Sequence, residues 1–543
     1  MKNDDLLNEW RIAFKDDKTS LRKLAKLSNV DDDHPFFSKL FFDSKKIVSK
    51  IGLGYGKLNI LTIKLIANSF ANILLKKNVE KSHIDILVCS DGAIETKSFL
   101  KNISEVFSSK KIGITAFQSN VGYDKKFICR TVNKLELDAA IFIERSTYND
   151  DIFNVRFIDN KGLDFEEEVI KLIKHEVEEY NVFEIKSTHA KIDYLSNSRV
   201  VNDYVEKILS LTSRKGDQRK IKIAVSDYNE GVTEILKKIL GNMDFNYIIN
   251  KNITNKISIN QKSKRNEKTY INYFKKDIYF ARKNKCGLLI CPSKNGSELN
   301  LFVFNGRQVV YLDANEITLM FLNFFLIEMN IGNKKFKNFY IGTDIPPIKS
   351  IKNLINKYKL ELIVSEDIKL PKDKYLLFYW NQNSQFIFGG NKITEFGFHH
   401  LMVRFLEMFN YYKTQRLNIV SQRNILIKMY GNYKTHVMIL NHDLSELHSW
   451  LVNIKKSWMN EKYPISNIIM FENIKNFGEN MIAKIILKNG VELFIKFNYL
   501  NRKVVIFVRI KGDDSKIWTK DYMVKNAYIK NLSSAIKKDI KKI

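Results

Sequence analysis

Apolar and polar positions along this chain fall into two alternating patterns. The segment NILTIKLIANSFANILL (Asn59 to Leu75) repeats its apolar residues at helical spacing, and IDILVCSDG (84–92) is a short apolar run closed by a polar turn. The first predicts an amphipathic helix, the second a buried strand whose carboxyl end opens on a crevice. KIGITAF (111–117) and LDAAIFIER (137–145) read as further strands, with helices predicted over 94–107 and 125–135 between them. Strands alternating with helices imply an α/β unit.

The pattern begins again at KIKIAVSDYNEG (220–231), continues through the helical VTEILKKIL, and resumes at CGLLICPSKNGSELNLFVFNG (286–306). Between these lies KNITNKISINQKSKRNEK (251–268), whose polar character predicts an exposed loop. A third unit starts near Lys334 with FYIGTD, a helix over 348–358 and LELIVSED, and ends in a predicted amphipathic helix from Phe398 to Tyr412. Beyond Met429 the alternation in VELFIKF and KVVIFVRI predicts an antiparallel sheet. Residues 1–40 read as a charged helical lead-in.

The length of 543 residues accommodates several domains, and 45% apolar residues exclude wholesale disorder. The net charge of +29 is spread over the whole length and forms no basic tail. It therefore admits a nucleic-acid or anionic-membrane surface without specifying one. Cys89, Cys129, Cys286 and Cys291 are too few for a disulfide framework, and the last two lack zinc-ligand spacing, so buried thiols are expected. MKNDDLLNEW is too acidic for a signal peptide and the longest apolar run, 317–327, is too short to span a bilayer. A soluble, cytoplasmic protein is the expectation.

Candidate chemistry begins with glycines. Gly52, Gly54 and Gly56 precede the first long helix and permit a tight turn or the approach of backbone to a ligand. Asp91 stands after a predicted strand, and Ser146 follows another. Arg145, next to that serine, is expected to pair with Glu144 or with a phosphate. His399 and His400 have no partner at ligand spacing, so packing or a surface position is expected of them.

In order and content these segments resemble the α-D-phosphohexomutase superfamily, especially its phosphoglucomutase/phosphomannomutase branch. IERSTYNDDIFNVRF resembles the catalytic serine loop TASHNP, with Ser146 on the phosphorylated serine, Thr147, Tyr148 and Asn149 on its His, Asn and Pro, and Arg156 on a later Lys. ICPSKNGSELNLF resembles the metal loop DxDxDR. Its three carboxylates become Ser293, Asn295 and Ser297, its Arg becomes Glu298, and Lys294 adds a positive charge. LDANEIT keeps Asn315 and Glu316 of a GNEI segment. FIFGGNKI resembles the sugar-recognition turn GEESxG, with Asn391 and Lys392 at the two acidic positions and Ile393 at the serine. KFNYLNRKVVIFVRI resembles the phosphate-binding RPSGTEPK loop. Lys496 and Lys503 keep cationic positions while Tyr499 and Leu500 replace small residues. Val48 stands at the Arg of a GLRG pattern. Ala93 stands at the Arg of a DSR-type turn, which leaves Asp91 without an arginine companion and makes it a turn residue.

The resemblance implies a four-domain architecture: domain I over 1–205, II over 206–333, III over 334–428, and a smaller α+β domain IV over 429–543. In such enzymes catalysis is positioning and electrostatics around a phosphoserine and a divalent metal. Magnesium wants a charged oxygen site, which neutral Ser293, Asn295 and Ser297 beside Lys294 do not offer. The resulting expectation is a catalytically inactive protein, without cofactor, repurposed as a structural, assembly or regulatory component with a protein partner or as a homo-oligomer. The alternatives are an active mutase using phosphorylated Ser146 and Mg2+, and a nucleic-acid-binding protein.

Overall fold

A computed structural model of the chain describes residues 3–27, 34–43, 45–118, 121–146, 149–210, 221–251, 259, 262, 264–306, 308–331, 339–364, 374–381, 385–388, 397–442, 444–471, 481–498, 503–511 and 520–540. It divides into two compact units. One holds residues 1–203 with the short segments 229–232 and 294–296, and the other holds 204–228, 233–293 and 297–543.

The first unit is built on a seven-stranded sheet. In chain order its strands are β1 (Phe41–Asp43), β2 (Lys46–Lys50), β3 (Asp85–Ser90), β4 (Gly113–Phe117), β5 (Ala139–Arg145), β6 (Ile152–Asp159) and β7 (Asp193–Leu195). In space they run β1-β2-β6-β5-β3-β4-β7, with β5, β3, β4 and β7 parallel. Helices Ile60–Lys77, Lys97–Ser109 and Glu167–Glu179 cover one face through Phe70, Phe107 and Ile173, while helix Lys125–Lys134 packs on β5 and β6.

The glycine run meets its own unit. Gly54 has φ +109°, and a Cβ there would lie 2.6 Å from the carbonyl oxygen of Phe36. The loop wraps around Asn59, whose amide donates to the carbonyls of Gly52, Gly54 and Lys57. Asn59 Oδ1 meanwhile accepts from Leu61 and Thr62, and Thr62 answers the Asn59 amide in a capping box. One residue thus fixes both the turn and the start of the helix.

The second unit contains three sheets. The five-stranded one runs β13 (Gln308–Leu312), β12 (Leu299–Asn305), β11 (Leu288–Pro292), β8 (Lys222–Ser226), β9 (Asn246–Asn250). The four-stranded one runs β15 (Glu361–Val364), β14 (Phe339–Thr343), β16 (Tyr375–Trp380), β17 (Phe386–Phe388). Both repeat a plan present in the first unit: the third strand of each set lies beside the first, and an antiparallel fourth closes that side. The equivalent series are β6-β5-β3-β4, β12-β11-β8-β9 and β17-β16-β14-β15. The six-stranded sheet differs. Its strands, β10 (Lys264–Arg265), β18 (Tyr433–Leu440), β22 (Lys503–Lys511), β21 (Glu492–Asn498), β20 (Met481–Leu487) and β19 (Ile465–Met470), are antiparallel throughout. Three related α/β sheets and one antiparallel sheet are what the sequence pattern predicts.

Two local expectations are corrected. In the stretch read as an exposed loop, Ile259 and Arg265 are buried, and Lys264–Arg265 pairs with Met438 and Val437. The backbone groups that make a ladder are blind to side-chain polarity. The helix Phe398–Thr414 is not amphipathic over its first three turns: every residue from Phe398 to Met408 is buried. Its charges satisfy each other, Arg404 donating to Glu407 at 2.6 Å. All four cysteines are buried free thiols. No helix among the described residues is long and apolar enough to cross a membrane.

Candidate functional site

Parallel pairing of β3 with β5 brings Asp91 and Ser146 to the same end of neighbouring strands. Asp91 is fully held. Its carboxylate accepts from the amides of Arg145 at 2.8 Å and Ala93 at 3.0 Å, and the Arg145 guanidinium lies 4.0 Å away. Burial pushes its pKa up to about 6 against the pull of Arg145. Arg145 also reaches Glu95 at 3.3 Å. This corrects two expectations, that Asp91 has no arginine companion and that Arg145 pairs with Glu144. Alternation along β5 sends adjacent residues to opposite faces, so Glu144 instead pairs with Arg156 across to β6.

Ser146 is buried, and its amide donates to the carbonyl of Ile152 at 2.7 Å. Asn149 turns the chain back, its carbonyl accepting from Ile152; Thr147 and Tyr148 lie outside the described residues. Against this turn stands the segment Lys294–Gly296, part of the same compact unit. Lys294 Nζ pairs with Asp150 at 2.8 Å, and Asn295 Nδ2 donates to the carbonyl of Arg145 at 3.0 Å. Asn229 ties the arrangement together, its amide donating to the carbonyls of Lys294 (2.8 Å) and Asp91 (3.1 Å). Gly122 lies so close that a Cβ would sit 1.7 Å from the Asp91 carbonyl carbon.

A second group of charges surrounds Arg156. Lys125 pairs with Asp164, and Arg156 with both Glu144 and Asp164. Burial alone would raise Asp164, but Lys125 and Arg156 outweigh it and hold its carboxyl well below the usual range. Lys46, opposite Arg156 in the β2–β6 register, is depressed to about 8 by burial and by that guanidinium.

The other mapped positions belong to the second unit. Ser293 and Glu298 close a turn from both sides: Ser293 N donates to the Glu298 carbonyl, and Ser293 Oγ accepts from the Glu298 amide, both at 2.9 Å. Ser297 Oγ accepts from Gln385 at 3.3 Å. Lys496 is buried with its Nζ 3.2 Å from Asp344, and Lys503 begins β22 opposite Asn498. Asn391, Lys392, Ile393, Tyr499 and Leu500 lie outside the described residues. His399 and His400 are core residues, with burial and Arg404 holding His400 down to about 3. Among the described residues no group of three or more His, Cys, Asp or Glu side chains is placed to hold a metal ion.

The structure therefore brings Ser146 and Asn295 together. Sequence reasoning did not single out Asn229, Asp150 or Gly122. For Asn229 a signal existed, since DYNEG follows an apolar run as SDG does at Asp91.

No protein-family model matches the sequence, and no protein of curated function matches it. Solved structures do. Parafusin, an exocytosis-sensitive phosphoprotein and phosphoglucomutase from Paramecium, matches with a TM-score of 0.64 at 10% identity, over 92% of this chain and 96% of that one. A phosphoglucomutase/phosphomannomutase family protein from Burkholderia thailandensis gives 0.60 at 10% identity, over 92% and 98%. A protein assigned as a phosphomannomutase from Thermus thermophilus gives 0.61 at 10% identity, over 88% and 96%. The chain has a multi-domain α/β phosphohexomutase fold.

Proposed function

We propose that this protein uses the phosphohexomutase fold without mutase chemistry, as a structural, assembly or regulatory component that binds another protein or a second copy of itself. The observation that carries this reading is the contact of Lys294 and Asn295 with the Ser146 turn. At one acidic position of the resembling motif this chain supplies an amide spent on a carbonyl, and beside it an ammonium paired with Asp150. Ser293 and Ser297 add only neutral oxygens. This donor set does not fit magnesium, which needs near-octahedral oxygen ligands and compensating negative charge. Lys496, at the phosphate-loop position, has its charge met by Asp344. Purified protein should leave glucose 1-phosphate and mannose 1-phosphate unconverted in the presence of Mg2+ and hexose bisphosphate. Conversion that disappears in Ser146→Ala would overturn the reading.

A second reading, an active mutase phosphorylated on Ser146, draws on one observation. Lys46, Lys125 and Arg156 cluster in the same unit as Ser146, matched by Asp43, Asp164 and Glu144, and a phosphate would compete with these carboxylates for them. The same assay separates the two.

A further inference from the structure

We propose that the first unit contains a binding site for a medium-chain fatty acid, on the side of β3 and β4 covered by helix Lys97–Ser109. The reasoning starts from a cavity of about 400 Å³, within the roughly 300–1,000 Å³ range of small-molecule sites. Its walls are mixed: Val88, Leu100, Ala116 and Ile192 supply apolar surface, with Ser90 and Ser104 among them. Asp91, Arg145 and Ser146 do not line it, so it is separate from the serine loop.

The cavity exists because its roof is pinned at both ends and bridged between them. At the helix end, Thr188 N donates to the Glu105 carbonyl at 3.0 Å, and Ser108 Oγ to the His189 carbonyl at 3.0 Å. At the sheet end, β7 is tied to β4 from Asp193↔Thr115 to Leu195↔Phe117. Between these ties Ala190 and Ile192 pack against the core, and the cavity stays open beside them. The site also lies where α/β sheets commonly take ligands, at the carboxyl ends of neighbouring strands. The helix after β3 covers one face, while helix Lys125–Lys134, after β4, packs on the strands beyond β3.

The mouth sets the charge of the occupant. Lys97 and Lys101, one turn apart on the helix, and His189 opposite them line the opening. Glu105 lies 3.8 Å from Lys101 and offsets it, which leaves Lys97 as the cation facing an incoming carboxylate. A flexible alkyl chain suits the apolar part of these walls, and a single anionic end suits this rim.

Titrating the full chain calorimetrically with decanoate below its micelle concentration tests the site. Saturable 1:1 binding is expected, weakened by about tenfold in Lys97→Glu and to a similar degree for uncharged decanol. Ala190→Trp, which fills the cavity from its half-buried roof, should abolish binding with the thermal unfolding curve unchanged. Absence of saturable binding to wild type would overturn the proposal. So would binding of several decanoates per chain that neither substitution alters.

Discussion

The side-chain amide of Asn295 donates to the carbonyl of Arg145 at 3.0 Å, so the residue at a carboxylate position of the resembling metal loop is spent as a donor to the serine loop. Restoring the acid with Asn295→Asp should not restore a metal site. It would place a carboxylate against a carbonyl, two acceptors facing each other, and should destabilise the protein by about 1–3 kcal/mol at neutral pH. Urea unfolding with and without magnesium chloride checks this. A magnesium-dependent stabilisation seen in the variant but not in wild type would show that the loop still reads as a cation site.

The repeat of three α/β sheets was legible because the inner parallel strands are buried on both faces and so appear as uninterrupted apolar runs, as in Ile86–Cys89 and Leu288–Cys291. The Asp91–Arg145 pair was not legible. The two residues are 54 positions apart and meet only through the pairing of β3 with β5. The helix from Phe398 failed for a related reason: a polar residue in a window looks solvent-facing until its partner is known. Arg404 and Glu407 are three positions apart, yet nothing in the pattern says that they turn inward together.

Asp124 caps helix Lys125–Lys134 through the Lys126 amide at 3.1 Å and is buried, which pushes its pKa up to about 7. A carboxyl raised in the folded state costs nothing while both states are protonated. Stability is lost as pH rises from the unfolded value of 3.8 through about 7. Asp124→Asn keeps the capping acceptor and removes the titration. The variant should therefore gain on wild type by roughly 4 kcal/mol across these limits, at about 1.4 kcal/mol per pKa unit. Buried His400 and His436 bend the whole-protein curve the other way, so the quantity to read is the difference between variant and wild type. A difference that is flat with pH would refute the argument.

Arg509 is the opposite case, a buried guanidinium whose Nε, Nη1 and Nη2 have no hydrogen-bond partner among the described residues. The Phe494 ring, 4.4 Å from its central carbon, supplies a cation–π contact, and burial depresses its pKa to about 10. Leaving donors unsatisfied costs about 1–3 kcal/mol, more than the roughly 0.5–2 kcal/mol of a cation–π contact. Arg509→Met, similar in shape and without donors, should raise the unfolding midpoint. A loss of more than about 1 kcal/mol would mean that the guanidinium carries an interaction these contacts do not account for.

Glu316 is matched by the resembling motif and has a structural task in this chain. Its buried carboxylate accepts from both Arg423 and Lys434. Burial opposes ionisation, but the two cations outweigh it and bring the pKa down to about 2. Glu316→Gln leaves buried Arg423 and half-buried Lys434 facing a neutral amide, and removing one partner of a buried pair in this way costs about 3–5 kcal/mol. The pH dependence follows from a depressed folded pKa. The stabilisation is complete above the unfolded value of 4.5 and is lost as pH falls through it towards about 2. Chemical unfolding of wild type and variant should therefore show a wide gap near neutral pH that narrows in acid. A gap of the same width at both would assign the loss to packing and not to charge, and the Glu316–Arg423–Lys434 cluster would then owe its stability to shape.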